Sequence, residues 1–374
     1  MIPFIDLKSQ YARIGTQIES AVLDVMRGGS YILGPVVERL EARLAAFAGT
    51  RHCVSCASGT DALVMALMAK GVGPGDAVFT VPFTFMASAE AIATVGATPV
   101  FVDIEPGSFN MDPAALTAAI AAHDHDALRP RGVLAVDLFG LAADYAQINA
   151  IAARHGLFVI EDAAQSFGGS AQNKRAGALA EIGCTSFFPA KPLGCYGDGG
   201  AIFCDDAELD AVLRSIRVHG QGSDKYENVR MGITGRLDAM QAAVLEVKLD
   251  IFEDELAARQ RVASRYAAQI AAADLPLTVP VIPEGVTSAW AQYTVVAQSS
   301  ADRAALQARL KDAGVPTMIY YPKGLHEQLA FADLGYTRGD FPVTEAMADR
   351  VFSLPMHPYL EDAQIDAIVA ALAG

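Results

Sequence analysis

Between about residue 55 and residue 240, short β-rich runs alternate with amphipathic helical stretches, and the strand-like runs are apolar at nearly every position. A strand wetted on one face alternates apolar and polar residues, whereas one covered on both faces reads as a continuous apolar run. "DAVFTVPF" is such a run, followed by the helical "MASAEAIATVG" ending at Gly96. "TPVFVDI" comes next, then a helix near Pro113 to Ala122 and the run "GVLAVDLFG". "YAQINAIAARHG" is helical with Gly156 as its cap, and it leads into "LFVIED". "TSFFP" and "GAIFCDD" add two more short strands. This order predicts an α/β fold with a mostly parallel sheet between helices.

From Leu237 the character changes. Met240, Ala243, Val244, Val247 and Ile251 follow helical spacing, and the helix they imply runs to about Ala273. It reads as a connection to a smaller C-terminal α/β domain. There "QYTVVA" is a strand, "RAALQARLKDAG" a helix closed by Gly314, and "PTMIYY" a further strand. With 374 residues, 52% of them hydrophobic, the chain can bury two cores. The expected division is 1–245 for a large domain and 246–374 for the linking helix and small domain, with the N-terminal segment packing on the latter.

A net charge of −15 argues against a nucleic-acid surface or docking on an anionic membrane. "MIPFIDLKSQYARIG" lacks the apolar core of a signal peptide, and no run is long enough for a membrane-spanning helix. Five cysteines fit a reducing cytoplasm. Cys53 and Cys56 form a C-x-x-C without a second pair, so buried thiols are the better reading than a metal site. "HDHD", His123 to Asp126, reads as a solvated loop. No metal is expected.

Four separated pieces carry chemistry. In "SGTDALVMALMAK" a small-residue turn enters a helix, whose free amides and positive end suit a phosphate; an ordinary cap by Ser58 or Thr60 is the alternative. In "VIEDAAQS" Asp162 ends a buried strand, where open α/β sheets bind ligands, and Gln165 reaches the same crevice. A buried carboxylate needs a cation to stay charged, unless Asp162 merely caps a helix. In "PFTFMAS" Phe85 either stacks on a flat ring or fills the core. In "SFFPAKPLGCYGDGG" the strand delivers Lys191 to the same sheet edge, Ser186 can bond a phosphate, and Pro192 keeps Lys191 out of a helix. A phosphate site, a buried acid, a stacking surface and one lysine match pyridoxal 5'-phosphate. A primary amine condenses reversibly with its aldehyde, and the acid keeps its ring nitrogen protonated.

The segments "FIDLKSQYARI", "YILGP", "SGTDAL", "PFTFMASAEAI", "PVFVDI", "VIEDAAQSFG", "SFFPAKPLGCYGDGGA", "GRLDAMQAA" and "SLPMHPYL" occur in this order along nearly the whole chain. Together they resemble the DegT/StrS sugar aminotransferases, which are fold-type-I pyridoxal phosphate enzymes with a seven-stranded-type sheet. The resemblance implies that Lys191 holds the cofactor covalently, that Asp162 meets its ring nitrogen and that Gln165 approaches its ring hydroxyl. Gly59, Thr60 and Ser186 would hold the phosphate, with Phe85 stacked on the ring. It further implies a homodimer with shared active sites, the loop "MGITGRLD" entering from the partner chain. Many members carry an asparagine on the phosphate where this chain has Thr234. Arg236 would meet a substrate anion, unless it forms a structural salt bridge, and Tyr31, Tyr320 and Tyr321 match positions beside the substrate.

By the same resemblance, L-glutamate gives its amino group, leaving as 2-oxoglutarate, and pyridoxamine 5'-phosphate passes it to a nucleotide sugar for surface polysaccharide, including lipopolysaccharide, synthesis. "PLGCYGDGG" is the version associated with 3-keto sugars, nearest to enzymes acting on UDP-2-acetamido-2-deoxy-3-keto-glucuronic acid. Those enzymes carry His-Tyr-Pro where this chain reads Tyr320-Tyr321-Pro322, so a 3-keto-6-deoxyhexose on UDP or dTDP also stays open. The rivals are a 4-keto-6-deoxysugar 4-aminotransferase, a regulatory protein with no need to keep Lys191, Asp162 and Gln165 together, and a dehydratase, whose relatives replace the lysine with histidine.

Overall fold

The computed structural model describes residues 2–124, 127–224 and 226–374; His125 and Asp126 of the "HDHD" stretch lie outside the described residues. The chain opens with α1 (Leu7–Gly28), capped when the Asp6 carboxylate accepts from the Ser9 amide at 2.9 Å, and α2 (Pro35–Ala48), which begins with proline. β1 (His52–Cys56) and α3 (Gly59–Ala69) follow, then β2 (Asp76–Thr80), α4 (Ala87–Thr94), β3 (Thr98–Phe101), α5 (Pro113–Ala122) and β4 (Arg129–Val136). Next come α6 (Tyr145–Arg154), β5 (Phe158–Asp162), a two-stranded ribbon of β6 (Ser170–Ala171) and β7 (Lys174–Arg175), β8 (Ile182–Ser186), β9 (Gly200–Cys204) and α7 (Ala207–Ile216).

These strands form a seven-stranded sheet ordered β1-β9-β8-β5-β4-β2-β3. All neighbours from β3 to β8 are parallel, and β9 runs antiparallel to both β8 and β1. The central strands are mostly apolar because both faces are covered: every residue of β2 and β5 is buried. The parallel direction brings the carboxyl ends of β2, β4, β5 and β8 to one edge, and the site is built there.

The expected single helix from Leu237 to Ala273 is two, α8 (Ala239–Leu249) and α9 (Phe252–Ala272), broken at Asp250 and Ile251. Val244, Val247 and Ile251 pack on Ile14 and Ile18 of α1, while Val262, Tyr266 and Ile270 of α9 face the second core. One straight helix cannot serve both directions. The remaining elements are β10 (Leu277–Thr278), β11 (Tyr293–Ala297), α10 (Ser300–Asp312), α11 (Pro342–Arg350), β12 (Val351–Leu354) and α12 (Asp362–Ala373). β10, β11 and β12 make a small antiparallel sheet.

"PTMIYY" is not a strand: Met318 makes an isolated bridge with Ser353, and the chain then leaves the sheet. "TSFFP" is also displaced, since β8 starts at Ile182 and ends at Ser186. Phe4 of the N-terminal segment accepts from the Met356 amide at 3.2 Å, and its ring lies 6.4 Å from that of Tyr320. All five cysteines are free and buried. Cys53 and Cys56 join different core clusters, as residues three apart on a strand must, so the C-x-x-C does not converge on one point. Among the described residues no helix is long and apolar enough to cross a membrane.

Candidate active site

Asp162 closes β5 and is 6% exposed. One carboxylate oxygen accepts from Ser88 Oγ at 2.8 Å, the other from the Ala164 amide at 3.2 Å. A turn follows rather than a helix, so Asp162 caps nothing. Burial raises its pKa, with Ser88 and the charge of Lys191 pulling the other way. The carboxylate is thus short of positive charge, and a protonated ring nitrogen against it would supply that charge.

Lys191 stands in the turn that follows β8. Its amide donates to Phe188 O at 2.9 Å, closing a β-turn with Pro189 in the second position, where the fixed φ of proline is favoured. Pro192 then disfavours helical geometry at Lys191 itself. Burial lowers the pKa of the Lys191 amine, and Asp162 opposes the shift. Each group therefore offsets part of what burial does to the other, and the amine becomes neutral more readily than a surface lysine.

Gln165 is buried one turn beyond Asp162. Its Oε1 accepts from the Phe139 amide at 2.8 Å, and its Nε2 faces the Tyr321 hydroxyl at 3.4 Å. Phe85 is 56% exposed, while Phe83, two residues earlier, is fully buried. The core aromatic of "PFTF" is therefore Phe83, and Phe85 turns toward the cleft with its ring 6.4 Å from that of Tyr321.

The candidate anion cradle lies at the start of α3. Ser58 is the cap, its Oγ accepting from the Asp61 amide at 3.0 Å, and the first helical amides behind it lack intrahelical acceptors. A Cβ added at Gly59 would lie 2.6 Å from Ser186 Cβ, and one at Gly200 would lie 2.4 Å from Ser58 O. Glycine at both places lets the end of β8 and the start of β9 touch the helix entrance. The Ser186 hydroxyl accepts from the Phe188 amide at 3.2 Å and keeps its own proton for an anion. Gly59→Ala therefore overpacks this junction, costing about 1–3 kcal/mol. Titration with pyridoxal 5'-phosphate should show affinity at least about tenfold weaker in that variant.

Thr234, Arg236 and Tyr31 form a second neighbourhood beside the same helix entrance, where Ala57 donates to Gly235 O at 3.2 Å. Thr234 Oγ1 is 2.7 Å from His219 Nε2. Arg236 Nε is buried without an acceptor, and among the described residues Arg236 makes no ion pair. Tyr31 is 51% exposed, and its backbone accepts from Ala239 at 3.0 Å. The Tyr320 ring lies tilted against that of Phe4 and edge-on to that of Tyr321. Thus Lys191, Asp162, Gln165, Phe85 and Tyr321 gather at one crevice, Gly59, Thr60 and Ser186 at its anion end, and Tyr31, Thr234 and Arg236 beside that end.

Ser88 was missed by sequence reasoning, as was Thr84, whose hydroxyl lies 3.2 Å from that of Ser88. "PFTFMAS" was weighed only for its aromatic ring. The available signal was a serine at the start of the helix after a strand end, but its target follows only from strand order.

The chain matches the model of the DegT/DnrJ/EryC1/StrS aminotransferase family over residues 12–373. It is 50% identical over 374 residues to a UDP-2-acetamido-2-deoxy-3-oxo-D-glucuronate aminotransferase of Pseudomonas aeruginosa, covering 100% of both chains. A pleiotropic regulatory protein of Geobacillus stearothermophilus is 43% identical over 374 residues, covering 100% of this chain and 98% of that one. A UDP-N-acetyl-3-dehydro-alpha-D-glucosamine 3-aminotransferase of Acidithiobacillus ferrooxidans is 40% identical over 371 residues, covering 99% and 97%. Among solved structures, a DegT DnrJ EryC1 StrS aminotransferase from Brucella abortus superposes with a TM-score of 0.95 at 50% identity, covering 100% of this chain and 98% of that one. NtdA of Bacillus subtilis, solved with its cofactor PMP, superposes with a TM-score of 0.89 at 28% identity, covering 99% and 82%.

Proposed function

We propose, from the premise that this chain belongs to the DegT/DnrJ/EryC1/StrS aminotransferase family, that it moves an amino group from L-glutamate to C3 of a 3-keto nucleotide sugar. UDP-2-acetamido-2-deoxy-3-keto-glucuronic acid is the leading acceptor, and the product would feed surface polysaccharide synthesis. The observation that carries the reading is the half-buried Lys191 beside the buried Asp162 at one crevice, each offsetting the effect of burial on the other. The substrate class rests on the 50% identity to an enzyme named for that sugar.

The residues present fit pyridoxal 5'-phosphate. Gly59, Thr60 and Ser186 would hold the phosphate, Phe85 the ring face, Gln165 the ring hydroxyl, Asp162 the ring nitrogen and Lys191 the aldehyde carbon. When bound, the cofactor supplies an aldehyde that takes up an amine and a protonated ring that withdraws electrons from the carbon losing its proton. The chain's own groups do the rest. Lys191, with a lowered pKa, would take a proton from the substrate carbon and return it to the carbon on the other side of the transferred nitrogen. Asp162, held by Ser88 and the Ala164 amide, would keep its carboxylate in place for the ring nitrogen. Phe85 and Tyr321 line the crevice, their rings 6.4 Å apart.

We further propose a homodimer in which Thr234 and Arg236 of one chain serve the site of the other. The exposed Phe188 at 52% and Met231 at 84% are apolar side chains that such an interface would cover. Arg236, which has no acidic partner among the described residues, would then grip the sugar carboxylate or the diphosphate. Arg236→Ala should raise KM for the nucleotide sugar about 10–100-fold while kcat changes little, since a charged hydrogen bond common to ground and transition states is lost. Steady-state kinetics on both substrates checks this; an unchanged KM assigns Arg236 to folding alone.

The direct test adds 3-amino and 4-amino nucleotide sugars, with and without a C6 carboxylate, to the yellow holoenzyme. The expected result is loss of the visible absorbance with 3-amino compounds only, the C6 preference reporting on Tyr320. Bleaching by 4-amino compounds would move the chemistry to C4. Silence across a panel that includes the true product would favour the regulatory reading.

A further inference from the structure

A second lysine, unused by the chemistry above, lies beneath the turn that carries Lys191. Lys248 is in the last turn of α8, is 1% exposed, and forms no salt bridge among the described residues. Its ammonium donates to Gly194 O at 2.7 Å and lies 4.2 Å from the centroid of the Tyr196 ring. Burying an ammonium against one carbonyl and one ring is strongly unfavourable compared with packing an apolar side chain of the same length. Burial pushes its pKa down to about 8, with Glu255 opposing from a distance. A side chain kept there for packing alone would be a methionine.

What Lys248 holds explains its presence. Gly194 follows Lys191 by three residues, and the arc from Gly194 to Tyr196 folds back on the segment before the lysine. Cys195 donates to Phe187 O at 2.8 Å, while a Cβ added at Gly194 would lie 2.6 Å from both Phe188 O and Pro189 O. The arc and the Lys191 turn are therefore one packed unit. Gln241, two helical turns before Lys248, grips the same arc: its Oε1 accepts from the Tyr196 amide at 2.8 Å, and its Nε2 donates to Tyr196 O at 3.3 Å. Residues seven apart on one helix thus seize both ends of a three-residue arc.

We propose that Lys248 is a positioning residue for Lys191: with Gln241 it clamps the Gly194–Tyr196 arc onto α8 and so fixes where the Lys191 amine stands relative to Asp162. The proposal rests on the transaminase reading of the site. It concerns how the catalytic lysine is held, not what the lysine does.

The test strips the full chain of cofactor, adds pyridoxal 5'-phosphate, quenches with borohydride at timed intervals, and maps the reduced adduct by mass spectrometry. Lys248→Met keeps the packing and removes the donor. Its adduct at Lys191 should form about tenfold more slowly, with kcat lower by a similar factor and KM for L-glutamate unchanged. Gln241→Ala should slow adduct formation about threefold, reflecting weaker neutral hydrogen bonds. Adduct formation at the parent rate in Lys248→Met overturns the proposal, whatever its melting temperature, as does a raised KM with normal kcat. If Lys248→Met does not fold, Gln241→Ala decides: a slowed adduct supports the clamp and the parent rate overturns it. Absence of the Lys191 adduct in the parent chain would instead overturn the transaminase reading.

Discussion

Lys191→Ala should fold, bind pyridoxal 5'-phosphate without covalent attachment, and turn over at least about 10⁴-fold more slowly than the parent, the upper range for losing a positioned acid–base group. Folding is expected to survive because the substitution removes an amine that burial already disfavours in its charged form. Lys248, a buried lysine nearby, cannot take over, because it is committed to Gly194 O on the far side of the turn. Absorbance spectra of the variant with and without L-glutamate, followed by borohydride treatment and mass spectrometry, read attachment and turnover separately. Near-parent turnover in a folded Lys191→Ala protein would remove the assignment altogether.

Asp162→Asn should lower kcat by about 10²–10³-fold, the usual cost of removing one preorganised electrostatic group. The shape survives the change: an amide can still accept from the Ala164 amide and meet the Ser88 hydroxyl, so charge alone is lost. The same variant should be more stable than the parent when both lack cofactor. Burial raises the folded-state pKa of Asp162, so the fold prefers the protonated acid. Any stability tied to that preference is present in full below the unfolded-state pKa and disappears as pH rises through the folded-state value. Above that value the cofactor-free parent carries a buried carboxylate that asparagine does not. Thermal melts of the two cofactor-free proteins should differ least in acid and most above neutrality, and saturating cofactor should narrow the gap. A parent that melts higher at every pH would mean that existing groups already neutralise Asp162, leaving no role for a ring nitrogen.

Function and stability thus pull Asp162 in opposite directions, as expected of a site assembled for a ligand. Lys248 shows the same opposition one layer deeper. Both are charged groups placed where burial disfavours charge, and each is intelligible only through what it must hold: a cofactor ring in one case, a backbone arc in the other.

The sheet was readable because its signal is local. Strands such as "LFVIED" are apolar until their carboxyl ends and buried at every position of the strand, which two-sided cover explains, and the helix Pro113–Ala122 has the bounds its proline and composition imply. Other elements were read less well for identifiable reasons. "PTMIYY" has strand composition, but only Met318 meets β12. The break between α8 and α9 is announced by Glu253, Asp254 and Glu255, acidic residues that favour a helix start, yet the apolar stripe continues across it and masks the signal. Phe85 and Phe83 are equivalent on paper; only their exposure, 56% against 0%, separates cleft from core.

By itself the sequence determined which chemistry could be done here. A lysine between two prolines, an acid ending a buried strand, and small residues at a helix entrance are statements about local geometry, which a few neighbouring residues control. Tertiary structure alone decided how those groups are held. Ser88 reaches Asp162 across 74 residues and Lys248 reaches Gly194 across 54, because strand order and helix packing bring them together. Such order arises from burying all the apolar faces at once, a property of the whole chain that no short stretch encodes.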